Sequence, residues 1–339
     1  MNPTAVPAAA DRVHGVDRIR AFAALSVMLA HIVGGHLPGL LQYVFTGYPA
    51  VFAFFVISGF CIHRPYVERP LPAVAFLSAR VIRIMVPVVV AMYLAGIAGV
   101  AHYNLKDGYI LWSIVCELWY YGLYPFLYLL SRWVPWRVQW LIAFAASYAL
   151  ALRLGADPYG NIHYLYGPYK TWIFGLPAWI LGCVLAESYA NRPSRLPIYT
   201  WRILVAAAAA MIYWASVNGV IRFHLTLNPF AVLVFFWMRA EINAAKGPNW
   251  LDWVGTWSFA IYLVHVVAEA FLKPFIDNIG LLFGASLVSC YLFYLAVESP
   301  SHAAARRVFK FVMRRPRVAL SIASAPAGTL QAGARQPIQ

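Results

Sequence analysis

The chain has 339 residues, of which 62% are hydrophobic and 11% are charged, and its mean hydropathy is +0.67. Soluble domains carry about 25% charged residues, so this composition excludes an ordinary soluble protein and indicates a membrane protein. The net charge of +14 has the sign that nucleic-acid binding requires, but its distribution along the chain argues against that function.

Apolar stretches long enough to cross the hydrocarbon core of a bilayer, which takes about 20 residues, recur along the chain. The predicted spans are 19–37, 46–63, 82–102, 108–131, 138–153, 170–188, 201–217, 222–239, 254–273 and 279–298. We therefore expect an all-α, polytopic bundle of about ten transmembrane helices. Residues 1–303 form the predicted membrane domain, and residues 304–339 form a basic tail that is predicted to be largely disordered.

The basic residues predict the orientation of this bundle. With the N-terminus in the cytoplasm, 21 of the 26 Lys and Arg residues fall in cytoplasmic segments. This asymmetry is typical of membrane proteins and predicts that both termini are cytoplasmic. The positive charge then reflects topology and attraction to anionic membrane lipids, and we expect no nucleic-acid partner.

The cysteines give no sign of a metal site or a disulfide framework. Cys61, Cys116, Cys183 and Cys290 all lie inside apolar runs, without the close pairing that a zinc site needs. The first apolar run continues into further spans and lacks a small-residue cleavage site, so we expect no secretory signal.

The first span, "RIRAFAALSVMLAH" (18–31), carries an arginine and a histidine at its two ends. His31 lies about 16 Å beyond Arg20 along a helix, which predicts a position near the bilayer midplane. Ionisable groups at that depth usually have a function, although a neutral imidazole that hydrogen-bonds between helices is the alternative.

The cytoplasmic segment "ARVIRIMVP" (79–87) places Arg80 and Arg83 on one helical face. Two guanidinium groups at this spacing can bind phosphate groups together, because each offers planar, forked donors. From spacing alone, the favoured interpretation is that the two side chains anchor a helix end among lipid headgroups.

The fourth span contains "WSIVCELWYYGLYP" (112–125), with Glu117 about 13 Å from the outer face. We expect Glu117 to meet His31 at similar depth, where a carboxylate would orient the imidazole of a general base. The alternative is a carboxyl group that only connects helices.

A third group of polar residues lies in "GTWSFAIYLVH" (255–265) and beyond, where Tyr262, His265 and Glu269 share a helical face. Glu298, in "YLAVESP" (294–300), is expected at the inner end of the last span, near the arginines.

Nothing in the chain matches a phosphate-binding loop, a zinc helix or a nucleophile elbow. Spacing alone therefore fits an acyl-transfer enzyme and a proton-coupled transporter equally well.

The ordered motifs over residues 14–307 resemble the acyltransferase-3 family of integral-membrane O-acyltransferases. The motifs that carry the resemblance are "RIRAFAALSVMLAH", "VFAFFVISGFCI" (51–62), "ARVIRIMVP", "WSIVCELWYYGLYP", "LPAWILGCVLA" (176–186), "GTWSFAIYLVH" and "ESP" (298–300). One departure is Ala79, which stands where the family usually has the first of two paired arginines.

The resemblance implies transfer of an acyl group, usually acetyl, from acyl-CoA to a sugar hydroxyl. It implies that His31 is the catalytic base or carries a transient acyl group, and that Glu117 holds its ring. Arg80 and Arg83 are implied to contact the CoA phosphates, with Arg69 or Arg20 able to replace the missing arginine. The remaining residues that we expect to line the cavity are Ser58, Trp112, Tyr120, Tyr262 and His265.

The resemblance also implies a stand-alone family member in a bacterial inner membrane, without the hydrolase-like domain that some members carry. Acetyl-CoA or a related acyl-CoA would be a co-substrate, with no permanently bound cofactor and no metal. The expected acceptor is exopolysaccharide, a lipid-linked sugar or an oligosaccharide. The expected partners are membrane lipids and either a second copy or a polysaccharide-synthesis complex. A transporter and a degenerate binding subunit remain the alternatives.

Overall fold

The computed structural model describes residues 13–106, 110–154, 162–189, 194, 196–245 and 247–314, and every regular element within them is helical. The α-helices are α1 (His14–Ile32), α2 (Gly47–His63), α3 (Ala73–Ile97), α4 (Trp112–Leu130), α5 (Trp136–Leu154), α6 (Ile162–Ser188), α7 (Ile198–Val217), α8 (Phe223–Ala244), α9 (Trp250–Thr256), α10 (Ser258–Leu272), α11 (Ile279–Phe293) and α12 (Ser299–Arg314). Short 3₁₀ helices occupy Gly34–His36, Gly39–Tyr43 and Arg64–Tyr66. The predicted all-α fold is confirmed.

Fewer of these helices qualify as membrane spans than the sequence predicts. Within the described residues, six are long and apolar enough: Gly39–Tyr66, Ala73–Ile97, Tyr169–Ser188, Ile198–Val217, Phe223–Ala244 and Ile279–Arg314. A bent pair, α9 with α10, makes a seventh if it crosses as one span. The helices α1, α4 and α5 fall short because they contain charged residues or many Trp and Tyr side chains. The count of ten and the cytoplasmic termini stay predictions.

The contact between α2 and α6 lies at the centre of the bundle and depends on two glycines. A Cβ atom on Gly59 would lie 1.9 Å from the carbonyl oxygen of Trp179, and one on Gly182 would lie 2.1 Å from that of Val56. Small residues let two backbones approach this closely, as they commonly do in membrane helix pairs. The two glycines therefore fix the position of Ser58, which precedes Gly59.

The start of α1 is held in the same way against two later helices. A Cβ atom on Gly15 would lie 2.5 Å from the carbonyl oxygen of Glu241 in α8. One on Gly255 in α9 would lie 2.0 Å from that of Asp17. An ion pair between Arg18 and Asp252, 3.2 Å apart, adds to this contact. The N-terminal end of α1 is thus fixed by α8 and α9.

A sharp break separates α9 from α10, with a bend of 68° around Trp257. Non-helical backbone at membrane depth is tolerated where it lies inside protein or beside a cavity. Here the free N–H of Ala260, in the first turn of α10, donates to the carboxylate of Glu298 at 3.0 Å. The carboxylate also lies at the positive end of the α10 dipole, which stabilises both groups.

The helices α11 and α12 form one long helix, in which only the hydrogen-bonding pattern changes between them. The π-helical turn Tyr294–Glu298 joins α11 to α12, and Glu298 ends that turn in a buried position. The predicted boundary between residues 303 and 304 falls inside α12, which runs on to Arg314. Residues 315–339 of the predicted tail lie outside the described residues.

Candidate active site

Side chains from α1, α2, α3, α4, α10 and α12, together with the α9–α10 break, line one cavity inside the bundle. Its volume is about 110 Å³. Pockets that enclose a whole drug-sized ligand measure about 300–1,000 Å³, so this cavity suits one end of a longer substrate.

One face of α4 supplies the polar centre of the cavity. Ser113, Glu117 and Tyr121 follow each other at intervals of four residues, so they share a helical face, and all three line the cavity. Glu117 Oε1 accepts a hydrogen bond from Ser58 Oγ at 2.8 Å and another from the hydroxyl of Tyr121. Trp179 Nε1 in turn donates to Ser58 Oγ at 3.3 Å. These contacts hold the carboxylate in one orientation.

Three arginines face this carboxylate across the cavity. Arg20 Nη1 donates to Asp17 Oδ1 at 3.3 Å, and Arg20 Nη2 contacts Cys61 Sγ at 3.4 Å. The guanidinium carbon of Arg80 lies 5.7 Å from the ring centre of Tyr121, a cation–π distance. Arg83 also lines the cavity. The arrangement can bind an anionic or strongly polarised group.

Glu298 and His302 complete the cavity from the last helix. Their side chains lie 3.5 Å apart, from Glu298 Oε1 to His302 Nε2, at a spacing of four residues. Glu298 is 1% exposed, and its other oxygen accepts the N–H of Ala260. The sequence predicts Glu298 near the arginines, and the structure places it in the same cavity as Arg20, Arg80 and Arg83.

His31 and His265 form a second cluster, separate from the cavity lining. Their ring centres are 4.9 Å apart and the rings meet edge to face. His31 lies exposed in the last turn of α1, whereas His265 is 3% exposed. The Nδ1 atom of His265 lies 2.9 Å from the carbonyl oxygens of Ile261 and Tyr262. Carbonyl oxygens only accept, so Nδ1 carries the proton and Nε2 is an acceptor.

Tyr262 lies between the two clusters. It lines the cavity, and its hydroxyl shares a hydrogen bond with the Ser113 hydroxyl. Its ring centre lies 6.5 Å from that of His265. The Nε2 atom of His265 has no hydrogen-bond partner among the described residues. Tyr262, His265 and His31 are therefore neighbours in that order, through ring contacts that lead away from the cavity.

The structure brings together most, but not all, of the residues that the sequence selects. Those that line the cavity are Arg20, Ser58, Arg80, Arg83, Glu117 and Tyr262. Glu117 and His31 lie in different clusters, because α4 packs on α3 and α6 whereas α1 packs on α2, α8, α9 and α10. The structure therefore does not bring these two side chains together in one cluster.

Three other selected residues lie behind the cavity wall. Trp112 packs its ring against Tyr48 and Phe55. Tyr120 donates its hydroxyl to the carbonyl oxygen of Trp172 at 3.0 Å, in the contact between α4 and α6. Glu269 pairs with Lys273 at 3.6 Å instead of facing His265. These residues shape or flank the site without lining it.

Several lining residues escape the sequence analysis. Tyr121 and Ser113 lie one turn from Glu117 on either side, and His302 lies one turn after Glu298, so four-residue spacing is the signal that identifies them. Cys61 and Thr256 line the cavity without any signal in the sequence.

The described residues contain no group of three His, Cys, Asp or Glu side chains placed to hold a metal ion. All four cysteines are free thiols in this part of the chain. The polar side chains that line the cavity carry carboxylate, guanidinium, hydroxyl, thiol and imidazole groups.

A model of the acyltransferase-3 family, described as an acyltransferase domain, matches residues 13–297 of the chain. The match covers every cavity residue except Glu298 and His302. No curated protein and no solved structure shows significant similarity to the chain.

Proposed function

The chain belongs to the acyltransferase-3 family, and we propose that it is a multi-pass membrane O-acyltransferase that uses a cytoplasmic acyl-CoA. The acyl group, acetyl in the simplest case, passes to a hydroxyl of a glycan. The observation that carries this proposal is the cavity, in which the arginines of α3 face the hydrogen-bonded cluster around Glu117. An anionic donor with a polar, reactive end fits this combination of charges.

The donor enters from the side on which α3 begins, which is cytoplasmic in the predicted orientation. Guanidinium groups are the side chains that bind phosphate most effectively, because their donors are forked and always charged. Arg80 and Arg83 thus receive the phosphorylated part of CoA. The narrow pantetheine arm then carries the thioester toward Ser58, Glu117 and Tyr262, for which a small cavity is sufficient.

His31 is proposed as the base. One nitrogen of its ring accepts the proton of the acceptor hydroxyl while the hydroxyl oxygen bonds to the thioester carbonyl carbon. The carbon–sulfur bond breaks, and the departing sulfur takes the proton back from the imidazolium. The products are the O-acyl ester and the CoA thiol. In the covalent version, the His31 nitrogen bonds to the thioester carbonyl carbon and CoA leaves as its thiolate. The acceptor hydroxyl then attacks the acyl-imidazole, which releases the imidazole, and the hydroxyl proton passes to the thiolate.

The separation between the cavity and His31 gives the reaction a direction. Along α1, His31 lies about 16 Å from Arg20. The thioester therefore has to pass Tyr262 to reach the imidazole, and the acceptor has to approach the exposed side of His31. The donor and the acceptor would thus meet from opposite ends of the bundle.

The acceptor class and the location are supported by family resemblance rather than by geometry. Family members of this size acylate exopolysaccharide, lipid-linked sugars or oligosaccharides. The proposal for this chain is a glycan acceptor and a position in a bacterial inner membrane.

One observation favours a second candidate, a transporter. The break between α9 and α10 lies at the cavity, and broken helices often form the substrate sites of transporters. A transporter built from repeats would carry a matching break in its other half. Within the described residues, α1 to α5 contain no such break, and the non-helical backbone at Gly167 inside α6 does not lie at the cavity.

Calorimetric binding of CoA and acetyl-CoA to the detergent-purified protein tests the proposal. We expect the parent to bind both and the Arg80→Ala/Arg83→Ala variant to bind them at least about 30-fold more weakly, through loss of charged hydrogen bonds. The control is Arg132→Ala/Arg137→Ala, which removes the same charge from two exposed positions outside the cavity. Failure of the parent to bind either ligand would make the transporter the leading candidate.

A further inference from the structure

The last helix is too long for the membrane. Ile279–Arg314 runs for 36 residues, or about 54 Å, whereas the hydrocarbon core measures about 30 Å. The apolar part is α11, and α12 contains four basic residues and no acidic one. The end of α12 therefore projects from the membrane, on the cytoplasmic side in the predicted orientation.

Charge is distributed unevenly between the inner cavity and this projecting helix. Inside, the three guanidinium groups of Arg20, Arg80 and Arg83 are balanced by three carboxylates. Those carboxylates are Asp17, which pairs with Arg20, and the two cavity residues Glu117 and Glu298. On α12 the positive charges are not balanced within the helix. A polyanionic ligand would therefore place its reactive end in the cavity and its most negative end along α12.

One face of α12 continues the cavity wall. His302 lines the cavity, and Arg306 and Lys310 follow at four-residue intervals, on nearly the same side of the helix. His302 lines the same cavity as Arg80 and Arg83 of α3, and Arg306 lies one turn beyond His302 on α12. The helix itself packs along α3, which carries Arg80 and Arg83. Arg306 is thus the next basic group outward from the cavity.

Arg306 is available for a ligand. Its side chain is exposed, and no carboxylate pairs with it among the described residues. Arg307 is also exposed but lies about 100° further around the helix, away from the buried Ala305 and from the face that His302 occupies. The two neighbouring arginines therefore differ in direction and not in charge or exposure.

We propose that Arg306 of α12 binds a phosphate of the nucleotide end of the acyl donor at the mouth of the cavity. The inference rests on the proposed function, because it assigns the outer part of the same donor site. It makes α12 one wall of that site and extends the site beyond Glu298, outside the region that the family model covers.

The test compares Arg306→Gln with Arg307→Gln, each in the full chain in nanodiscs of phosphatidylcholine. The probes are CoA and adenosine 3′,5′-bisphosphate, which keeps nucleotide phosphates but lacks the pantetheine arm. We expect Arg306→Gln to weaken the binding of both probes by about 10-fold, the effect of one charged hydrogen bond. The affinity of Arg307→Gln for both probes should stay within about twofold of the parent's. That result would show that loss of one positive charge does not by itself weaken binding.

The outcomes separate the inference from the function on which it rests. If the parent binds CoA and Arg306→Gln binds it equally well, or if both variants weaken it equally, the inference is wrong and the proposed function stands. A parent that binds neither probe overturns both. If Arg306→Gln binds both probes as the parent does and only retains less phosphatidylglycerol when that lipid is added to the nanodiscs, the phosphate that α12 binds belongs to lipid, and the inference is again wrong.

Discussion

The arginine-lined cavity and the pair of histidines differ in almost every physical respect. In the cavity, charged groups face each other, and Glu117 accepts two hydrogen bonds on one oxygen. The histidine pair joins the exposed His31 to the buried His265 through a ring contact, and no described residue is a hydrogen-bond partner of His265 Nε2. Opposed ionic groups hold a ligand or each other in place, whereas a ring nitrogen without a partner can still exchange a proton.

This difference suggests that substrate binding and proton transfer are divided between the two regions. Variants in the cavity should then change the affinity for the donor. Variants of the histidine pair should change turnover and leave donor affinity intact. The predictions below address this division, in order of decreasing effect on turnover.

The largest effect is expected for His31→Ala. Loss of a general base lowers turnover by about 10³-fold, within the usual range for such groups. Calorimetric affinity for CoA should remain within about twofold of the parent, because His31 lies outside the cavity lining. The control is His36→Ala, an exposed histidine in the segment just after α1. A parallel loss of CoA affinity in His31→Ala would show that the two regions are not separate.

Glu117→Gln is expected to lower turnover by about 10- to 100-fold, since it weakens two hydrogen bonds to a charged group. The neutral amide cannot balance the cavity arginines, so CoA affinity should change as well, in contrast to His31→Ala. Glu269→Gln is the matched control, because Glu269 pairs with Lys273 outside the cavity lining. Unchanged CoA affinity in Glu117→Gln would assign this carboxylate to the chemistry instead of the donor site.

The same two residues show what the sequence can and cannot predict. Helical spacing places His31 and Glu117 at comparable depths, because depth follows from the rise per residue. It does not predict lateral neighbours, which depend on packing between distant helices. Glu117 meets Ser58 because α6 packs against both α4 and α2, with Gly59 and Gly182 at its contact with α2. The main contacts of α1 are instead with α2, α8, α9 and α10.

Residues within one turn of each other are the more predictable part of the site. Three pairs of cavity residues each share a helical face: Arg80 and Arg83, Glu117 and Tyr121, and Glu298 and His302. The break before α10 could not be predicted, because the stretch "WVGTWSF" (253–259) reads as continuous apolar helix. Only the carboxylate of Glu298, distant in sequence, satisfies the backbone N–H that the break exposes.

His265 should act on turnover through its Nε2 atom. His265→Ala is expected to lower turnover by about 10-fold, the effect of one neutral contact, with CoA affinity unchanged. His265→Gln places an acceptor oxygen near the Nε2 position and should recover part of the activity. His265→Asn restores only the donor to the backbone carbonyls and should not. Equal recovery by both variants would indicate a role in packing alone.

The smallest effect on turnover is expected for Gly59→Ala, which alters the support of the cavity and not its chemistry. Its Cβ atom would lie 1.9 Å from the carbonyl oxygen of Trp179, so α2 and α6 must separate. We expect a loss of about 1–3 kcal/mol in stability, seen as a lower unfolding temperature in the same detergent. Turnover per folded molecule should stay within about twofold, provided that the protein is assayed well below that temperature.

Gly122→Ala in α4 is the matched variant, because a Cβ atom there meets nothing within 4 Å. Alanine is the better helix former by about 0.5–1 kcal/mol, so this variant should be as stable as the parent or slightly more so.

Gly59 adjoins Ser58, which donates to Glu117, and a shift of α2 therefore reaches the cavity before it reaches the histidine pair. A modest loss of CoA affinity in Gly59→Ala, with unchanged turnover of bound donor, would place the effect on the binding side of the division. Equal unfolding temperatures for the two variants would mean that the close contact of α2 and α6 does not limit stability.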